Sequence, residues 1–329
     1  MKCTLGGTYM KKLKKVLAIT LVGVLMLSLA ACGKSSESKE IEETTTQEQT
    51  ATPEDTSSEA TEAPAATEET ATVTGSITGS GSSALLPLAQ DAADKFKELN
   101  PDVSITLNAG GSGEGLKQVA DGTVDIGNSD VAAEAKLEAA QASALVDHKV
   151  CVITMAPIVN NDVAESVKSL TKQQIIDIFT GKTTNWKEVG GPDEAVVLVT
   201  RPETSGTRAL FKEFALDGND EATNASLETD DSGTLLQSVA SQKGAIGYVA
   251  LSYLVNNDTV STMAIDGVEP TLENTYNGTY PVWGYEHMYT NGEADGAVKA
   301  YIDYVMSEDY AAQMESLGYN VASKMTVSR

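Results

Sequence analysis

Arg201-Pro202-Glu203-Thr204-Ser205-Gly206-Thr207-Arg208 lies between an apolar run, Ala195 to Thr200, and the segment Ala209-Leu210-Phe211-Lys212-Glu213-Phe214. The run before it reads as a buried strand, and the apolar spacing after it is helical. The whole is therefore a strand, a turn and a helix start. Ser205, Gly206 and Thr207 fall on the first turn, where backbone N–H groups have no partner within the helix. Those amides, two hydroxyls and the positive end of the helix dipole make an anion site. Arg201, just before the turn, adds a planar, permanently charged fork suited to an oxyanion. An ordinary capped helix with Arg201 in a surface salt bridge has the same local pattern, so the rest of the chain must decide.

The same theme recurs upstream. Ser76-Ile77-Thr78 leads into Gly79-Ser80-Gly81-Ser82-Ser83 and then a helix to about Leu99, with Ala84, Leu88, Ala92 and Phe96 on one face and Ser82 or Ser83 as its cap. Val103 to Leu107 alternates as a strand and enters Gly110-Gly111-Ser112-Gly113-Glu114-Gly115, a second glycine-rich turn into a helix. Val124-Asp125-Ile126-Gly127-Asn128-Ser129-Asp130 is a short strand ending in polar residues, with Ala132 to Ala140 read as helical. Strands alternating with helices predict an α/β fold with its site outside the C-terminal ends of the strands.

Further along, Leu145 to Val159 is strand-like, and Pro157 marks it as an edge or crossing segment. Thr171 to Gly181 is a helix with a threonine cap and a glycine stop. Gly181-Lys182-Thr183 lacks the companion glycine of a phosphate loop, since Ile176 stands there. Asn185-Trp186 reads as a packed loop, Asn219 to Asp231 as a polar loop, Ser232 to Ser241 as a helix and Gly244 to Val249 as a buried strand. Met263 to Val268 and Tyr280 to Tyr285 are expected to be extended. Asp295 to Tyr319 gives two amphipathic helices, with Val298, Tyr301, Ile302 and Val305 on one face of the first.

The N-terminal part is expected to be export and tether rather than fold. Met10-Lys11-Lys12-Leu13-Lys14-Lys15 is a basic stretch, Val16 to Ala31 is apolar, and Leu29-Ala30-Ala31-Cys32 closes it with small residues before a cysteine. Met10 looks a better start than Met1. The ending resembles the lipobox of bacterial lipoproteins, which implies cleavage after residue 31 and acylation of Cys32. Residues 32–72 are rich in Glu, Thr, Ser, Ala and Pro, too polar to bury a core, and read as a disordered, self-repelling stalk.

Formal net charge is −24 over 329 residues, and the leader holds only lysines among its charges, so the remainder is more negative still. That excludes a general nucleic-acid binder. It also means that an anion must be held by short-range dipoles and hydrogen bonds. Beyond the stalk Cys151 is the only cysteine, set in an apolar run, so no internal disulfide is expected. His148 and His287 lack metal-ligand spacing, and no cofactor is expected.

Taken together, Gly79–Ser83, Gly111–Gly115, Ile126–Asp130, Arg201–Thr207 and Gly244-Ala245-Ile246-Gly247-Tyr248 resemble, in order and spacing over about residues 75–325, the PstS-type phosphate-binding proteins of high-affinity phosphate ABC importers. The resemblance implies a two-lobed, type II periplasmic-binding-protein-like fold. Lobe I would be 73–157 plus 265–329, and lobe II would be 158–264, closing on the ligand by hinge motion. It implies phosphate contacts at Ser83, Ala84, Ser112, Asp130, Arg201, Ser205, Gly206 and Thr207, with Glu203 orienting Arg201. Ser83-Ala84 departs from the family's frequent Thr-Phe, which keeps a hydroxyl and thins the apolar cover. The implied protein is a monomer on the outer face of a Gram-positive-type cell membrane, serving membrane permease and ATPase subunits. Asp130 would accept the proton that phosphate carries and sulfate lacks; a helix cap is its structural alternative. An enzyme such as a phosphoester hydrolase would need a base beside a nucleophile or metals, and neither histidine lies near the turns. A binder of sulfate or molybdate, or an adhesion lipoprotein with a degenerate pocket, are the other readings.

Overall fold

The computed structural model describes residues 72–329, and the leader, Cys32 and the stalk lie outside the described residues. Strand β1 (Gly75–Gly81), helix α1 (Leu86–Leu99), β2 (Val103–Ala109), α2 (Ser112–Ala120) and β3 (Ile126–Ser129) form a βαβαβ unit whose strands are parallel, β1 in the middle. The expected face of α1 is buried at Ala84, Leu88, Ala92 and Phe96, because those positions recur on one side at helical spacing. Ser82 Oγ accepts the Leu85 amide at 3.0 Å and so caps the turn that opens α1.

The expected helix from Ala132 to Ala140 is instead a single 3-10 turn at Ala133–Ala135, followed by the short helix α3 (Ala139–Ala142). Alanine-rich sequence favours helix, but tertiary contacts win here. The Ala133 amide is taken by the Tyr289 hydroxyl at 3.1 Å, and Ala132 and Glu138 are extended.

Strand β4 (Leu145–Val159) spans the run read from the sequence and is the spine of the molecule. Its first part, through Thr154, pairs with β11 (Trp283–Asn291); from Met155 onward it pairs with β8 (Ala245–Ala250). Pro157 sits in the second part opposite Tyr248. Between β4 and β8 come α4 (Asn161–Ala164), β5 (Ser169–Leu170), α5 (Lys172–Phe179), β6 (Val197–Thr200), α6 (Gly206–Phe214), β7 (Leu227–Glu228) and α7 (Ser232–Ser241). The strand order β2-β1-β3-β11-β4-β8-β6-β7 makes two half-sheets that share β4. In the second, β8, β6 and β7 are parallel. The short β9 (Ser261–Thr262) also pairs with β4, and β10 (Ala264–Ile265) pairs with β5. This mixed α/β arrangement around one shared strand is the two-lobed architecture expected.

Two extended segments are shorter or later than expected. Met263 to Val268 contains only β10 before Asp266 and Gly267 turn the chain at positive φ, an Asp-Gly reversal. Tyr280 to Val282 precede β11, since Pro281 has no N–H to give to a ladder; the strand then runs on to Asn291. The helix α8 (Leu272–Tyr276) lies before it, and α9 (Gly296–Val305) and α10 (Glu308–Ser316) follow. Tyr301, Ile302 and Val305 are buried, with Val298 at the margin of the same core. Cys151 is fully buried, and Trp186 is packed with its ring N–H donating to the Gly244 carbonyl at 2.8 Å. No described helix is long and apolar enough to cross a membrane.

Candidate functional site

Four turns at the C-terminal ends of parallel strands meet between the half-sheets. From β6, the chain passes Arg201 and reaches Ser205, which caps α6 by accepting the Arg208 amide at 3.3 Å. Gly206 and Thr207 are the first two residues of that helix, and their backbone N–H groups have no hydrogen-bond acceptor among the described residues. A Cβ on Gly206 would collide with Ser112 and crowd Asp130, so the starts of α6 and α2 touch only because this residue is glycine. Gly111, at φ +84°, likewise packs against the Asp230 carboxylate.

Asp130 follows β3 and is buried. Its amide donates to Ser112 Oγ at 3.0 Å, and its Oδ2 accepts the Thr207 hydroxyl at 2.5 Å. Its Oδ1 is buried with no partner among the described residues. Arg201 has no accessible surface. It donates to the Asp230 carbonyl at 3.1 Å, to Ser232 Oγ at 2.9 Å and to the Tyr248 carbonyl at 3.4 Å, and lies 3.6 Å from the Asp230 carboxylate. Its Nε is buried and unpartnered among the described residues. Burial pushes the Asp230 carboxyl up, opposed by the Ser205 hydroxyl and the Arg201 charge.

Ser83, from the turn after β1, reaches across to the same place: its hydroxyl donates to the Asp230 carbonyl at 2.7 Å and is 3.0 Å from Ser232 Oγ. The backbone amides of Ser83 and Ala84 have no acceptor among the described residues. The Tyr253 hydroxyl donates to the Ser83 carbonyl at 2.7 Å. Lys136 Nζ donates to the carbonyls of Glu203 and Ser205 at 2.6 and 3.1 Å, tying the segment after β3 to the α6 turn. Burial lowers the Lys136 pKa, partly opposed by Asp230 and Asp130.

Ser83, Ala84, Ser112, Asp130, Arg201, Ser205, Gly206 and Thr207 are thus brought together from three turns and a strand end far apart in sequence. Glu203 is the exception. Its side chain is exposed and makes no hydrogen bond or ion pair with the fully buried Arg201; only its carbonyl is used, by Lys136. Asp230, Ser232 and Tyr248 hold the guanidinium instead. Sequence reasoning missed Asp230 and Ser232. A signal was present, since Ser232-Gly233-Thr234 repeats the Ser205-Gly206-Thr207 triplet at the start of another helix. It also missed Lys136, Tyr253 and the buried Glu286.

The set is a cluster of donors, amides at two helix starts, hydroxyls and a buried guanidinium edge, beside two carboxylates: Asp130, and Asp230, which faces Arg201. No group of three or more His, Cys, Asp or Glu suited to a metal occurs among the described residues. A cavity of about 430 Å³ with largely apolar walls opens beside Asp130 toward Leu210, Phe214 and Tyr285, but none of the other converging residues lines it.

Residues 66–309 match the model of the PBP superfamily domain. The chain is 45% identical over 321 residues to the phosphate-binding protein PstS of Bacillus subtilis, covering 97% of this chain and 98% of the relative. It is 30% identical to a PstS of Pseudomonas aeruginosa, covering 67% and 73%. Among solved structures it is similar to a substrate-binding protein with bound phosphate from Clostridium perfringens, with TM-score 0.68 and 33% identity over 75% of this chain and 99% of that one. It is also similar to an ABC-type phosphate transport receptor from Vibrio cholerae, with TM-score 0.59 and 25% identity over 74% and 99%.

Proposed function

Because the chain belongs to the PstS family of phosphate-binding proteins within the PBP superfamily, we propose that it captures inorganic phosphate outside the cell and hands it to the permease of a phosphate ABC importer. It is a transport binding protein and not an enzyme, and its ligand is phosphate rather than a cofactor. In this reading the ligand is held by Ser83, the Ala84 amide, Ser112, Arg201, Ser205, Gly206 and Thr207. Lobes 73–157 plus 265–329 and 158–264 close over it, and a lipid on Cys32 with the stalk at 32–72 tethers a monomeric domain to the cell membrane.

The observation that carries the reading is the buried, unpartnered oxygen of Asp130 set among donors. Phosphate and sulfate match in size and shape. Near neutral pH phosphate keeps a proton and sulfate has none, so donors alone cannot tell them apart. A buried acceptor can: phosphate satisfies it, whereas sulfate meets it as one unpaired anion against another. Sites that require a specific hydrogen bond reject ligands lacking it by about four to five orders of magnitude. Because the chain is strongly acidic, the attraction must come from these fixed local groups rather than from a long-range field.

Calorimetric titration of the ligand-stripped full chain at neutral pH, first with phosphate and then with sulfate, tests this. The expected result is tight one-to-one phosphate binding with no sulfate heat. Equal binding of both would remove the role given to Asp130, and no heat from either would overturn the function.

A further inference from the structure

Glu286, on β11, has no accessible surface, and neither of its carboxyl oxygens has a hydrogen-bond partner among the described residues. An isolated buried carboxylate is strongly unfavourable, so the position needs a proton or a cation. The strand register says where the proton goes. Strands β11 and β3 are antiparallel with His287 opposite Ser129, so continuing that register one residue past the end of β3 brings Glu286 to Asp130. The free Oδ1 of Asp130 is buried, and the two carboxyls are close enough to interact. Two ionised carboxylates facing each other on neighbouring strands repel; a single proton shared between them turns the clash into a hydrogen bond.

The neighbours decide which carboxyl keeps it. Asp130 accepts the Thr207 hydroxyl and lies beside the start of α6, where the helix dipole favours negative charge. Glu286 has neither. The other titratable groups facing Glu286 are Cys151, opposite it on β4, and Tyr319 after α10, and neither is basic. Burial, followed by the nearby charge of Asp130, pushes the Glu286 carboxyl well above the usual carboxylate range.

We propose that Glu286 keeps its proton at neutral pH and donates it to Asp130, acting as a positioning residue that sets the site's choice between protonated and unprotonated oxyanions. The inference rests on Asp130 being the ligand's acceptor. A carboxylate has about four lone-pair directions. Thr207 takes one and Glu286 a second, which fixes the carboxylate plane and leaves acceptor capacity for the proton of phosphate. Without the Glu286 donor, nothing fixes the plane of the Asp130 carboxylate, so its free oxygen is no longer held toward the ligand's proton and the discrimination against sulfate weakens.

The test compares the full-length wild type with E286Q, E286L and D130N in phosphate and sulfate titrations, with infrared spectra of the protonated-carboxyl C=O band at neutral pH. Gln keeps a donor at the same place, so E286Q should retain phosphate affinity and sulfate exclusion, while E286L should weaken phosphate binding about ten- to a hundredfold and make sulfate binding measurable. The wild type should show the band and E286Q should lack it, a measurement that stands even if E286L does not fold. A wild type without the band, or E286L with unchanged phosphate affinity and ratio, overturns the proposal. D130N with unaltered phosphate and sulfate binding overturns instead the reading of the site on which it rests.

Discussion

Helices α5 and α6 begin with the same local chemistry and do opposite things. At α5, Thr171 accepts the Gln174 amide at 3.2 Å and Gln174 returns the favour to the Thr171 amide at 2.8 Å, a reciprocal capping box on the surface. Nothing at that helix start is left for a ligand beyond what water satisfies. At α6, Ser205 also caps, but the start is buried, its position N3 is Arg208 rather than Glu or Gln, and Gly206 packs tightly against Ser112 and Asp130. On the proposed reading, the difference teaches that a cap becomes an anion site when the return half of the box is missing and tertiary neighbours exclude water. The dipole is common to both ends; the low-dielectric surroundings that make it count are not.

That contrast can be broken at three strengths. The largest effect is expected for Arg201→Met. It removes the charge beside the α6 start and leaves the half-buried Asp230 without its partner, so it should abolish measurable phosphate binding and cost about 3–5 kcal/mol of stability. Calorimetry and denaturant unfolding read the two effects, and near-wild-type binding would mean that the helix start alone holds the anion. Gly206→Ala comes next. The added methyl pushes α6 away from Ser112 and Asp130, with an overpacking cost of about 1–3 kcal/mol and a matching loss of phosphate affinity. Loss of stability without loss of affinity would separate packing from the site. Smallest is Thr171→Ala, which should lower the melting temperature through about 1 kcal/mol of lost cap and leave phosphate affinity unchanged. A change in affinity there would show that the two helix starts are coupled.

Much of this could be read before folding was considered. Thr171 and Gly181 bracket α5 because hydroxyl caps and left-handed glycines act within a few residues. The run Leu145–Val159 was legible as a strand, and Pro157 as a sign of crossing. Where propensity competed with distant contacts, reading failed. Ala132 to Ala140 has helical composition, yet Tyr289, more than a hundred residues on, takes the Ala133 amide. Glu203 has the residue type to hold Arg201 but turns outward, and Asp230 does the work from another loop.

The sequence by itself determined most of the elements, the turns that open helices, the α/β class and the family, because each depends on neighbours within a few residues or on motif spacing along the chain. Only the tertiary structure decided which turns face one another, that β4 changes partners between Thr154 and Met155, and that Glu286 is brought to Asp130. Those facts are set by strand register, in which one residue's shift sends every side chain to the other face, and no local pattern encodes that choice.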